Sequence, residues 1–169
     1  FSEQIENNEL RIIGNLPYNI STPLLFRLFE ISTRIKDMHF MLQREVVDRM
    51  TAEPSTSAYG RLSIMTQHFC EAEKLFEVAP ESFSPKPKVM SAIVRLTPKK
   101  HPIKVDAKLL EEVLAHVFSF RRKTLRNAFM KYLNVDELAE LGIDSNLRPE
   151  NLTIEEFASC ANHISQKKP

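Results

Sequence analysis

Glycine is scarce in this chain: Gly14, Gly60 and Gly142 are the only three in 169 residues. None lies near another, so no G-x-G turn exists to cradle a dinucleotide or a nucleoside cofactor. Tryptophan is absent, and the two cysteines, Cys70 and Cys160, have no paired spacing. A disulfide framework and a cysteine metal cluster are thereby excluded, and both cysteines read as buried thiols of a reducing compartment. No apolar run approaches the ~20 residues that span a bilayer. The polar, acidic start carries no signal-peptide pattern, so no membrane partner and a cytoplasmic location are expected. No internal repeat or low-complexity segment interrupts the chain.

What is present is ordinary in bulk and uneven in detail. Hydrophobic residues make up 43% and charged residues 27%, as in a water-soluble globular protein. The net charge of +1 hides a strong local asymmetry. Residues 99–133 hold nine Lys or Arg against three Asp or Glu, and residues 134–163 hold one against seven. A basic block beside an acidic one points to a polyanion-facing surface with a solvated opposite face.

The spacing of apolar residues divides the chain. Residues 10–13 read as a buried strand running into Gly14 and a turn. Thr22-Pro23 has the form of a helix start, with Leu24, Leu25, Leu28 and Phe29 as the buried face. Residues 38–42 read as a central strand, Val46–Met50 as a short helix, and residues 61–70 as another. Residues 74–79 and 89–96 read as two strands whose nine-residue connection is too short for a helical crossover, so they are expected to be antiparallel neighbours. From Asp106 the pattern is helical, with capping boxes at Asn134/Glu137 and Thr153/Glu156 and a stop at Gly142. The expected class is α/β: part of a doubly wound sheet with an antiparallel pair over residues 1–98, then a small all-α domain over residues 99–169.

The chemistry gathers at Asn15-Leu16-Pro17-Tyr18. In open α/β sheets ligands sit at the carboxyl ends of strands, which is where this tetrapeptide falls. Asn15 offers a neutral side-chain carbonyl. Pro17 holds Leu16 extended and removes the next N–H, so the Leu16 carbonyl is turned out of any regular ladder. Tyr18 offers a flat face. Two acceptors beside an aromatic ring suit a base with an exocyclic amine, adenine above all.

Asn-Leu-Pro-Tyr resembles the motif of the N6-adenine methyltransferases that use S-adenosylmethionine. Three longer strings, GNLPYNISTPL at 14–24, FSPKPKVMSAIVRL at 83–96 and FSFRRKTLRN at 118–127, resemble the rRNA adenine N6-dimethyltransferase family in the same order. The resemblance implies S-adenosylmethionine as methyl donor, touched by Asn15 and Leu16. It implies two adjacent adenosines near the 3′ end of small-subunit rRNA as target, in a pre-30S particle. It also implies that Phe83, on a loop stiffened by Pro85 and Pro87, stacks on the target base opposite Tyr18. Lys86, Lys88, Arg121, Arg122, Lys123 and Arg126 are the expected RNA contacts, with Arg122 and Arg126 on one helix face. Four positive charges near a helix start oppose its dipole and call for an anion. No metal site is expected, and the full-length protein is expected to be a monomer. Because the cofactor loop is missing, the chain is expected to begin partway through its domain and to be inactive alone. The alternatives are an RNA-binding assembly factor that acts by occupancy, and an adenine-specific DNA methyltransferase.

Overall fold

A computed structural model describes residues 10–167, apart from the side chains of Tyr18 and Asn19. Four strands form one sheet: β1 (Leu10–Asn15), β2 (Ile35–Gln43), β3 (Cys70–Val78) and β4 (Ser91–Pro98), in the order β1-β2-β4-β3. β1 is parallel to β2, and β4 is antiparallel to both of its neighbours. The α/β class and the reversed strand are as expected. The short connection between β3 and β4 leaves the chain no other way to pair them.

The residues cluster into two compact units, one from Phe1–Thr51 and Phe69–His101, the other from Ala52–His68 and Pro102–Pro169. The division expected at 98/99 falls three residues short of the break at His101. The clustering also groups residues 52–68 with the C-terminal helices. The reason is visible in Arg61 and Gly60: the Arg61 guanidinium meets Glu111 at 2.6 Å, and Gly60 lies against the Phe118 ring.

In the first unit, α1 (Tyr18–Glu30) and α2 (Arg44–Met50) accompany the strands. Met38, Phe40 and Leu42 of β2 and Ala92, Val94 and Leu96 of β4 are fully buried, the alternation a strand in the middle of a sheet requires. Phe29 of α1 stacks on Phe69 with ring centroids 5.3 Å apart. Two expectations fail here. α1 begins at Tyr18 rather than at Thr22-Pro23, because the Pro17 carbonyl accepts the N–H groups of Ile20 and Ser21 and starts the helix early. Pro23 then sits inside the helix. And β1 is not a buried strand: β2 is its one partner among the described residues, and Ile13 is 82% exposed. An ion pair of 3.0 Å between Arg11 and the largely buried Asp37 ties it to β2.

The second unit holds α3 (Arg61–Phe69) up to His68, α4 (Ala107–Ser119), α5 (Leu125–Ala128), α6 (Val135–Glu140) and α7 (Ile154–Lys167). Leu110, Val113, Leu114 and Val117 form the buried stripe of α4, and Phe157 of α7 lies between the rings of Phe118 and Phe129. Both capping boxes are present, and Gly142 has the positive φ of a helix stop. Both cysteines are fully buried and unpaired, and burial pushes each thiol up to about 12. No helix among the described residues is long and apolar enough to cross a membrane.

Candidate active site and basic surface

The Asn15–Pro17 turn lies at the carboxyl end of β1. Its backbone is fixed from below: Asn15 pairs with Met41 in register, and the Leu16 N–H donates to the Met41 carbonyl at 3.2 Å. Pro17 opens α1 with φ −56° and ψ 136°, so the chain reverses sharply between strand and helix. The Asn15 side chain is left exposed, and no hydrogen bond holds it among the described residues. An acceptor so placed is rigid at its root and unoccupied at its tip. Tyr18 follows at once, but its side chain lies outside the described residues.

The loop that carries Phe83 emerges at the same end of the sheet. Val78, the end of β3, pairs with Ser91, the start of β4, and Gln43 at the end of β2 pairs with Ser91 from the other side. The Arg44 N–H donates to the Met90 carbonyl at 2.9 Å, which ties the loop's exit to the strand next to Asn15. Phe83 is half-buried, so it is neither core filler nor a free ring, and its N–H is held by the Pro80 carbonyl at 3.2 Å. Lys86 is tied to Glu81 in an exposed ion pair that holds the Glu81 carboxyl below the usual carboxylate range. Lys88 is exposed, with no partner among the described residues.

Where β2 passes into α2, a pocket of about 290 Å³ is lined by Gln43, Arg44, Glu45, Asp48, Val89 and Met90. That is near the lower end of small-molecule sites, roughly 300–1,000 Å³. Reading the sequence missed Gln43 and Arg44. The signal was there: polar residues directly after an apolar strand stand at its carboxyl end, where a sheet of this kind binds ligands.

The basic stretch differs from expectation. Arg121–Lys123 are not at a helix start. They occupy the turn that follows α4, and α5 begins only at Leu125, after Thr124 in extended geometry. Positive charge just past the C-terminus of α4 complements that helix's dipole, so no anion is demanded on that account. Arg122 and Arg126 do not share a helix face, since Arg122 lies in the turn and Arg126 on α5.

The four cations also do different things. The Arg121 Nε donates to Glu150 at 3.0 Å, and its guanidinium donates to the Ser57 carbonyl at 2.7 Å, closing segments 52–60 and 149–151 onto the α4 end. Arg126 donates to the Asn146 side-chain oxygen at 3.0 Å. Arg122 and Lys123 are exposed and unpartnered among the described residues. The loop at Asn146 accepts the first N–H groups of α5, Leu125 onto Leu147 and Arg126 onto Ser145, and so brings the exposed Arg148 alongside. Arg148 was hidden in the sequence by its acidic neighbours. No group of three metal-ligating side chains occurs among the described residues.

Comparison with known proteins identifies the family of the chain. The profile of the family described as "Ribosomal RNA adenine dimethylase" matches residues 1–166. The chain is 53% identical over 161 residues to ribosomal RNA small subunit methyltransferase A of Aeromonas hydrophila, covering 94% of this chain and 59% of that protein. To the protein of the same name from Colwellia psychrerythraea it is 54% identical, covering all of this chain and 57% of the relative. The chain thus spans about three fifths of the length of the curated relatives it matches. Among solved structures, a dimethyladenosine transferase from Plasmodium falciparum superposes with a TM-score of 0.84 at 28% identity, covering 98% of this chain and 71% of that one. The 23S rRNA methyltransferase ErmE, at 20% identity and a TM-score of 0.68 over 98% of this chain and 69% of its own, shares the fold.

Proposed function

The chain belongs to the ribosomal RNA adenine dimethylase family, and on that premise we propose that it is part of an enzyme that dimethylates N6 of two adjacent adenosines near the 3′ end of small-subunit rRNA, with S-adenosylmethionine as donor. The observation that carries this reading is the Asn15–Pro17 turn. It has an anchored backbone, a free side-chain acceptor, and the loop of Phe83 at the same end of the sheet.

The target adenosine must leave its stack to be reached, at a cost of a few kcal/mol. Phe83 and Tyr18 would hold it between them, and base–aromatic stacking contributes about 1–3 kcal/mol per base. The Asn15 oxygen and the Leu16 carbonyl would accept from the N6 amine. Both N–H bonds are then directed, and the nitrogen lone pair is drawn out of conjugation with the ring. A neutral amine needs no base before it attacks, so orientation is the main contribution of these residues. The pocket at Gln43 and Arg44 would receive the nucleoside or its flanking phosphate.

Asn15 and Leu16, at the exposed end of β1, would touch the methionine part of the donor. S-adenosylmethionine, when bound, supplies a methyl group made electrophilic by its sulfonium. The residues present offer no glycine turn for its adenosine.

Arg122, Lys123, Arg126, Arg148 and Lys88 would meet RNA phosphates, in a cytoplasmic encounter of a monomer with rRNA or a pre-30S particle. Arg121 is reassigned from that set to holding the second unit together. Methyl transfer by the full gene product that carries this chain, to unmethylated small-subunit particles and to duplex DNA, is the test. Labelled N6,N6-dimethyladenosine in rRNA alone is the expected result. Transfer to DNA would make it a DNA methyltransferase, and tight particle binding without transfer would make it an assembly factor.

A further inference from the structure

The second unit carries an aromatic group that the methyl-transfer reading does not use. Phe120 caps α4 and is 41% exposed, an unusual position for a phenyl ring just ahead of three cationic side chains. It is not loose. Its ring lies 5.2 Å from that of His116 at 59°, and His116 meets Tyr132 edge-on at the same distance. Tyr132 is fixed in turn, with its hydroxyl 3.2 Å from Glu112 and its carbonyl accepting from Lys167. Three rings therefore back one another, and the outermost is presented to solvent in a fixed orientation.

The surroundings are cationic. Arg122 and Lys123 lie two and three residues past Phe120, both exposed and with unpartnered side chains among the described residues. Lys131 sits 4.8 Å over the Tyr132 ring, next to Met130, which is 77% exposed. Glu112 accepts from the Tyr132 hydroxyl at 3.2 Å. A small apolar face rimmed by cations is poorly matched to another protein's core. It matches a nucleotide, whose base is flat and apolar and whose phosphate is anionic.

We propose that Phe120, backed by His116 and Tyr132, is a stacking platform for one unpaired RNA base, with Arg122, Lys123 and Lys131 holding the adjoining phosphates. This base is not the methylated one; it is a flanking nucleotide in a loop or single-stranded stretch. The proposal rests on the rRNA reading and deepens it, since it requires a substrate with an unstacked base beyond the target. Duplex, with its bases stacked and paired, would engage the cations alone.

The test uses a short single-stranded RNA carrying one 2-aminopurine, the same strand with an abasic site there, and a duplex of equal length. Binding to the intact chain should quench the 2-aminopurine. Phe120→Ala should abolish the quench and weaken single-strand binding roughly 5- to 100-fold, with the salt slope unchanged. Phe120→Tyr should retain the quench, and Phe120→Leu, which keeps the apolar bulk and guards against misfolding, should lose it. Arg122→Ala should lower the salt slope and keep the quench. Binding by the unaltered chain without quench, or an equal loss of duplex binding in Phe120→Ala, overturns the platform. Quenching through Phe120 without rRNA methylation would overturn the functional reading alone; methylation without quenching would overturn the platform alone.

Discussion

The turn from β1 into α1 and the turn from α4 into α5 carry the proposed site residues, and they hold them in opposite ways. At Asn15–Pro17 the backbone is the anchor. The Leu16 N–H is bonded to Met41, Pro17 fixes φ, and the Asn15 side chain has no partner among the described residues. At residues 120–124 a side chain is the anchor. Arg121 reaches Glu150 and the Ser57 carbonyl, and the side chains of its neighbours Arg122 and Lys123 have no partner among the described residues. The difference follows from what each turn must present. A hydrogen-bond acceptor for an amine has to be placed within tenths of an ångström, which backbone anchoring provides. A phosphate contact tolerates a long, mobile side chain, because the charge acts over several ångströms.

The sharpest way to break the comparison is at its precise end. Asn15→Ala removes one orienting acceptor without touching the anchored backbone. Methyl transfer by the full gene product should fall roughly 100- to 1,000-fold in kcat, as when one preorganised group is lost elsewhere, with RNA affinity changed less than threefold. Single-turnover transfer and filter binding on the same particles separate the two. Near-normal turnover would remove Asn15 from the site.

Arg121 and Arg122 form the next contrast, two identical residues in adjacent positions. Arg121→Ala leaves Glu150 and the Ser57 carbonyl without their donor. With the Arg121 side chain 41% exposed, solvent screening limits the loss to about 1–2 kcal/mol. For a chain of this size that lowers Tm by roughly 2–8 °C. Arg122→Ala should leave Tm unchanged within a degree or so. In return it should lower the slope of log K against log salt by roughly 0.7–0.9, one phosphate's worth of released counterions. Calorimetry and a salt titration of both variants decide the matter. Equal behaviour of the two would dissolve the distinction.

This pair also marks where reading residues in order stops being enough. Strand, helix and capping-box positions were legible because each depends on a local pattern: a nearly continuous apolar run in β2, a stripe in α4, Asn134 with Glu137. The strand end at Asn15 was legible because its geometry is local too, a strand running into a proline. The role of Arg121 was not, since Glu150 lies 29 residues away and Ser57 lies 64 away. The exposure of Ile13 was hidden for the same reason, because burial of a strand depends on what pairs with it. The start of α1 went astray because Thr22-Pro23 has the composition of a cap while the Pro17 carbonyl already had its donors.

Lys86 tests whether the anchored and free classes are the only two. It has a partner, Glu81, but the pair is exposed on both sides, 60% and 67%, unlike the half-screened Arg121–Glu150. An exposed pair contributes little to folding and is readily exchanged for a phosphate. Lys86 should therefore resemble Arg122 in function although it resembles Arg121 on a contact map. The hydrogen bond from Lys86, with a smaller backbone contribution, holds the Glu81 carboxyl below its ordinary 4.5. Any stability the pair adds is thus present above that ordinary value and lost as the pH falls through the lower, folded one. At neutral pH the carboxylate is charged and competes with RNA for the ammonium. Glu81→Gln removes the competitor and keeps the shape. RNA binding should tighten, by no more than about threefold, with Tm unaltered. The gain should disappear in Glu81→Gln/Lys86→Ala, because Lys86 is the group released. A fall in Tm on Glu81→Gln, with no gain in binding, would place Lys86 with Arg121 as a structural tie and leave Lys88 as the loop's phosphate contact.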